Sequence, residues 1–296
     1  MLQGAIKFWE QWTISTIFFI AMELWMPETL AALVFAHVLA DFVFQTNWMA
    51  AHKRNPLALG LHLAVVYVTA IAATGSVHPG LLVLALVHIG IDVGKLVLQS
   101  VWKGSGGFGP FMIDQALHLV SLIALALYLP DLWAQGLWAP GAIVTGDDGG
   151  ILGTGLWSDE VPLPIGHLPA LMVLSSGILL ATRAGGFAVG LLMEPFAPHL
   201  DKPGMGKSLP GAGRVIGHLE RGLIFALVLL GQPSGVGFLI AAKSILRFGS
   251  VKDDRALSEY VIIGTLASFG WALIAAYATL WGLSALPPLG ILPATP

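Results

Sequence analysis

The chain has 296 residues, 56% of them hydrophobic and 10% charged, with a net charge of −3 and a mean hydropathy of +0.82. A soluble domain of this length does not carry that composition, which is that of an all-α, polytopic transmembrane helical bundle. The absence of Cys excludes disulfides, thiolate metal sites and cysteine nucleophiles, and no basic stripe offers nucleic acid a surface.

Apolar runs near residues 8–25, 30–49, 57–75, 79–99, 110–129, 167–190, 213–231, 235–248 and 258–283 predict about eight or nine spans, because a helix needs about 20 residues to cross the hydrocarbon core. The first run carries Glu23, Trp9, Trp12 and Trp25, which also suit an interfacial helix, and the eighth is short enough to be tilted or re-entrant. Lys7 is the only early cation and no small-residue cleavage site follows, so the first helix is expected to stay in the mature protein.

Loop charges orient the spans. Lys53 and Arg54 follow the second, Lys103 the fourth, Lys202, Lys207 and Arg214 the sixth, and Lys252 and Arg255 the eighth. The intervening connections hold almost no Lys or Arg, and 131–166 holds Asp131, Asp147, Asp148, Asp159 and Glu160. The positive-inside rule then places the N-terminus in the cytoplasm. The expected division is an N-terminal membrane helix (1–29), a four-helix membrane domain (30–130), an acidic extracytoplasmic loop (131–166) and a C-terminal membrane domain (167–296) with a basic cytoplasmic-side cluster. Residues 194–212 look too broken for helix.

Within these spans, His37 and Asp41, His88 and Asp92, and Asp114 and His118 are each spaced i,i+4, and His62 stands alone on a fourth helix. That spacing stacks both side chains on one helix face. Ionisable groups in hydrocarbon are expensive and usually face a bundle interior. Counting about 1.5 Å per residue from the cytoplasmic helix ends puts Asp41, Gln45, His62, Asp92, Lys95, Asp114 and His118 in one slab, roughly 6–12 Å deep. His37 and His88 are expected above it. Imidazole and carboxylate are standard ligands for zinc, manganese or iron. The same residues also suit a hydrogen-bonded network joining helices, or a proton or cation pathway. A bis-histidine haem is disfavoured, since a carboxylate one turn away would crowd the porphyrin.

In the second half, Arg214, His218, Glu220 and Arg221 open the seventh span, and Lys243 and Arg247 close the eighth. Such a set suits an anionic ligand, or simply marks the cytoplasmic side. Glu220 and Arg221 lie two turns inside the span, where an internal ion pair or a ligand contact is expected. His52, His78, His167 and His199 fall at loop edges and read as solvated, and the glycines form no phosphate-binding fingerprint.

The string from Ala36 through His37, Asp41 and Gln45 to Trp48-Met49-Ala50 closely resembles the opening motif of a bacterial membrane family catalogued as domain-of-unknown-function family 3307. His62, His88-x-x-x-Asp92-x-x-Lys95 and Asp114-Gln115-x-x-His118 follow in the same order, and the resemblance covers roughly residues 28–130. The stretch from Gly213 to Ser268 looks like the extension of longer members. The resemblance implies a multi-pass protein of the bacterial cytoplasmic membrane with a shared polar site, and names no reaction.

These features lead to a membrane-embedded metal-dependent hydrolase acting on a lipid-linked or phosphorylated substrate. His37, Asp41, His62, Asp92 and His118 would hold divalent zinc, manganese or iron, with His88 and Asp114 catalytic. Gln45, Lys95, Arg214, Glu220, Arg221, Lys243 and Arg247 would contact substrate. A proton- or cation-coupled transporter or channel, and a structural subunit of a membrane complex, stand as alternatives.

Overall fold

The computed structural model describes residues 27–101, 107–139, 143–145, 151–154, 165–200, 209, 211–248 and 255–289. The first expected span lies outside these residues, as does half of the acidic connection. The described residues are helical apart from loops and one short antiparallel hairpin, β1 (Ile143–Thr145) with β2 (Ile151–Thr154). Six helical segments are long and apolar enough to cross a membrane.

Helix α1 (Pro27–Leu39) runs without a break into a π-helical turn, Ala40–Phe44. Its small residues Ala31, Ala32 and Ala36 are buried, which lets neighbouring backbones approach closely. A short helix α2 (Asn47–Ala51) follows, with Thr46 Oγ1 accepting from the Met49 amide. Asn55 Oδ1 then caps α3 (Pro56–Thr74) by accepting from Leu57 N, with Pro56 in the first turn where its missing N–H does no harm.

Gly75 ends α3 at φ +66°, a left-handed turn that favours glycine. Helices α4 (Pro79–Val101) and α5 (Phe108–Tyr128) complete an antiparallel set. The chain after α5 folds back across this end. Thr29 Oγ1 donates to Pro130 O, Leu137 N donates to Gly75 O, and Trp138 Nε1 donates to Ala72 O.

The second half begins with α6 (Leu168–Leu179), a second π-helical turn at Leu180–Ala184, and α7 (Gly185–Met193). A 3-10 stretch, Glu194–Leu200, extends it, so the start of the connection expected to be irregular is in fact helical. Then come α8 (Ala212–Leu229), α9 (Ser234–Phe248) and α10 (Arg255–Ser284). Every expected span from the second onward is a helix, although α8 and α9 are not among the six most membrane-like segments and α9 is short. Helix α1 packs on both α3 and α6, so helices from either side of the acidic connection share one interface. Val68, Val120, Leu266 and Ile274 point outward, as expected of helices whose surroundings are lipid.

Candidate metal centre

The π-helical turn shapes the first part of the site. One extra residue per turn redirects the side chains that follow, and such turns often occur at functional positions. Here Phe42 is buried against Phe111, Ala184 and Ala188, while Asp41 reaches towards two other helices. Its Oδ1 lies 3.1 Å from His88 Nε2 and 3.5 Å from His62 Nε2, and its Oδ2 is 3.9 Å from His37 Nδ1. Gln45 closes the turn with an extended backbone and sets its Nε2 3.1 Å from His62 Nε2.

Helix α3 supplies His62, whose Nε2 is 3.2 Å from His88 Nε2 and 3.4 Å from Asp92 Oδ2. Helix α4 carries His88, Asp92 and Lys95 on successive turns of one face. From α5, Asp114 and His118 complete the set. His118 Nδ1 lies 2.9 Å from the Asp114 carbonyl oxygen and its Nε2 3.4 Å from the His88 carbonyl oxygen. The imidazoles pack as a group: ring centroids are 4.1 Å apart for His88 and His118 (tilted), 5.0 Å for His37 and His118 (stacked) and 5.1 Å for His62 and His88 (edge to face).

His37 and His88 are therefore members of the cluster and not a separate layer above it. Counting residues along a helix locates Cα atoms alone. A one-turn offset of about 5.4 Å is spanned by an imidazole on each side.

Two lysines border the cluster. Lys53 Nζ donates to Asp92 Oδ1 at 2.6 Å, and Lys95 Nζ donates to Asp114 Oδ2 at 3.0 Å, where Gln115 Nε2 also donates. Asp92 and Asp114 thus each have one oxygen held by an ammonium group. The other oxygens, Asp92 Oδ2 and Asp114 Oδ1, have no hydrogen-bond partner, and neither do Asp41 Oδ1, His37 Nδ1 and His62 Nδ1. Asp92 and His118 are 1% exposed. Leaving buried polar atoms unpaired is costly, and a cation would satisfy several at once. With neutral imidazoles, three carboxylates face two ammonium groups, so one negative charge is uncompensated.

The donor chemistry fits a metal. Three overlapping sets, His37/Asp41/His118, Asp41/His62/His88 and Asp92/Asp114/His118, each bring their ligand atoms within 4.8 Å of one another. Lys53 was not apparent as a site residue from the sequence, where Lys53-Arg54 reads as an ordinary loop cation pair. The available signal was its position, one short helix beyond Gln45.

The basic residues of the second half have other partners. Arg221 is buried, donating from Nε and Nη2 to Thr182 O at 3.3 and 3.0 Å and from Nη1 to Ser268 Oγ at 3.1 Å. Trp271 Nε1 donates to Leu180 O at 2.8 Å. Both acceptors belong to the second π-helical turn, whose irregular ladder needs partners from neighbouring helices inside a membrane. Glu220 pairs with Lys243 at 2.7 Å and not with Arg221. Arg214 is exposed, and the Arg247 side chain lies outside the described residues. No hydrogen bond or ion pair among the described residues joins Arg214, Glu220, Arg221 or Lys243 to the histidine–aspartate cluster.

Fold and site together define the class: a membrane-spanning helical bundle with a buried histidine–aspartate centre able to hold a metal ion. Residues 29–136 match the family model described as Protein of unknown function (DUF3307). All seven cluster residues fall within it. No curated protein and no solved structure matches the chain.

Proposed function

We propose that the protein is a membrane-embedded, metal-dependent hydrolase of the bacterial cytoplasmic membrane, acting on a lipid-linked or phosphorylated substrate. One observation carries the reading: His and Asp side chains from four helices meet in a buried centre where five of their polar atoms lack a hydrogen-bond partner. His37, Asp41, His62, Asp92 and His118 are the metal ligands. A bound zinc, manganese or iron ion would polarise a phosphoryl or carbonyl oxygen and make water more acidic. His88, 3.1 Å from Asp41, and Asp114 are placed to hold or move a proton beside that water.

Lys53 and Lys95 border the centre and are nearer to hand for an anionic substrate than Arg221 and Lys243, which are held by Thr182, Ser268 and Glu220. A lipid-linked substrate follows from depth, because the centre lies towards the helix ends expected at the cytoplasmic headgroup level. Elemental mass spectrometry of the purified protein and of Asp92→Asn tests the reading. Near-stoichiometric metal, lost in the variant, supports it and directs a screen of phospholipid and lipid-phosphate hydrolysis. Absence of metal after gentle purification removes it.

A second reading, a proton- or cation-coupled transporter, draws on the run of imidazoles from His62 through His88 and His118 to His37. Contacting rings of this kind suit a relay. Proteoliposomes loaded with a pH dye distinguish the two: flux that depends on His88 without bound metal favours transport.

A further inference from the structure

We propose that the loaded centre holds two divalent cations side by side, and that the second enters together with a phosphate group of the substrate. The inference rests on the metal-dependent reading above and deepens it, setting the ligands of the loaded state and the class of substrate.

Three atoms draw the first position. Asp41 Oδ1, His62 Nε2 and His88 Nε2 form a nearly equilateral triangle with edges of 3.1, 3.2 and 3.5 Å. A tetrahedral ion with bonds of about 2.0–2.1 Å spaces its ligands about 3.3–3.4 Å apart, so one ion reaches all three with little movement. Hydrogen bonding does not account for the triangle. Asp41 Oδ1 has no hydrogen-bond partner, and each ring nitrogen has at most one proton to share.

The second position is a separate set. Asp92, Asp114 and His118 also bring ligand atoms within 4.8 Å of one another, and they share no residue with the triangle. The remaining set, His37/Asp41/His118, takes one residue from each of the other two, so it does not fill beside them. Asp92 and Asp114 are 1% and 4% exposed. Lys53 and Lys95 hold one oxygen of each, and the other oxygens, Asp92 Oδ2 and Asp114 Oδ1, have no partner. The two sets adjoin, with Asp92 Oδ2 3.4 Å from His62 Nε2 and the His88 and His118 rings 4.1 Å apart. That proximity is compatible with the separation of about 3.5–4 Å between the ions of two-metal phosphoryl-transfer sites. With both positions filled, His88 and Asp114 serve as ligands in place of the proton-handling role they have beside a single ion, and His37 is the imidazole left outside both sets.

Charge then selects the substrate. Two divalent ions carry four positive charges against three carboxylates, and Lys53 and Lys95 add two more, which leaves three in excess. Such an excess is costly in a buried site. A carbonyl substrate brings no charge to offset it. A phosphate monoester brings about 1.5 to 2 negative charges near neutral pH, and its oxygens suit a two-ion clamp. The second ion and the phosphate thus favour each other's binding. A lipid headgroup and a soluble monoester present the same phosphate chemistry.

The test uses the full chain in phosphatidylcholine nanodiscs with manganese, counted by elemental mass spectrometry against empty nanodiscs and observed by electron paramagnetic resonance. About one ion per chain is expected with manganese alone. Inorganic phosphate, or phosphatidic acid in the bilayer, should raise this to about two and replace the single-ion spectrum by that of an exchange-coupled pair. A rise with phosphatidic acid alone assigns the phosphate to a lipid, and a rise with both supports the shared chemistry. Asp114→Asn should keep the first ion and lose the second; a second ion retained there overturns the ligand set. If that variant does not fold, the wild-type spectrum decides by itself. One ion per chain with either anion overturns the proposal and leaves the single-metal reading standing, whereas no ion under any condition overturns both. A second ion bound without an anion, or drawn in equally by acetate, overturns the phosphate assignment.

Discussion

The ammonium group of Lys53 lies 2.6 Å from Oδ1 of Asp92, so a cation from the connection between two helices enters a buried histidine–aspartate centre. Asp92 is 1% exposed, and its second oxygen, Oδ2, has no hydrogen-bond partner and lies 3.4 Å from His62 Nε2. Lys53 thus occupies one side of a carboxylate whose other side faces the proposed metal ligands.

That arrangement makes Lys53 a competitor for cations. Lys53→Ala is expected to tighten divalent-metal binding by about tenfold, because removing a charge so close to a buried carboxylate raises its attraction for another cation. Isothermal titration with manganese checks the direction. Weaker binding would instead make Lys53 a residue that positions Asp92.

Asp92→Asn keeps the side-chain shape and removes its charge. Metal affinity is expected to fall at least about 100-fold, since replacing a ligand exceeds the 10–100-fold range known for outer-shell partners. Circular dichroism should remain unchanged, which separates loss of the site from loss of the fold.

Arg221→Ala should act on stability alone. Thr182 O loses both of its guanidinium donors and Ser268 loses a partner, and buried polar groups left unpaired cost about 1–3 kcal/mol each. A lower thermal midpoint in detergent with full metal content is the expected result. Metal loss at unchanged stability would return Arg221 to the functional site.

Gly75→Ala tests the far end of the bundle. An added Cβ would stand 2.7 Å from Trp138 Cδ1 and 2.8 Å from Leu137 N, at a positive φ that L-residues rarely adopt. Destabilisation of about 1–2 kcal/mol is expected, visible as faster proteolysis between α5 and the hairpin.

Much of this protein is legible in one dimension. Spans, helix faces and the i,i+4 pairs follow from local hydropathy and periodicity, and His62, Asp92, Asp114 and His118 do converge as their depths suggested. The roles of Arg221 and Lys243 were not legible, because a cation near a helix end reads the same whether it faces water, a ligand or a neighbouring backbone carbonyl. Lys53 was hidden for the same reason.

By itself, the sequence determined a membrane helical bundle, its family motif and the inventory of buried His and Asp, since each depends on residues a few positions apart. Only the tertiary structure decided which helices became neighbours, that His37 and His88 join the cluster, and that Lys53 bonds Asp92 while Arg221 serves Thr182 and Ser268. Two π-helical turns account for much of that difference. Each rotates the following side chains onto a new face, and carbonyls of the second are satisfied by helices distant in sequence, which local periodicity does not encode.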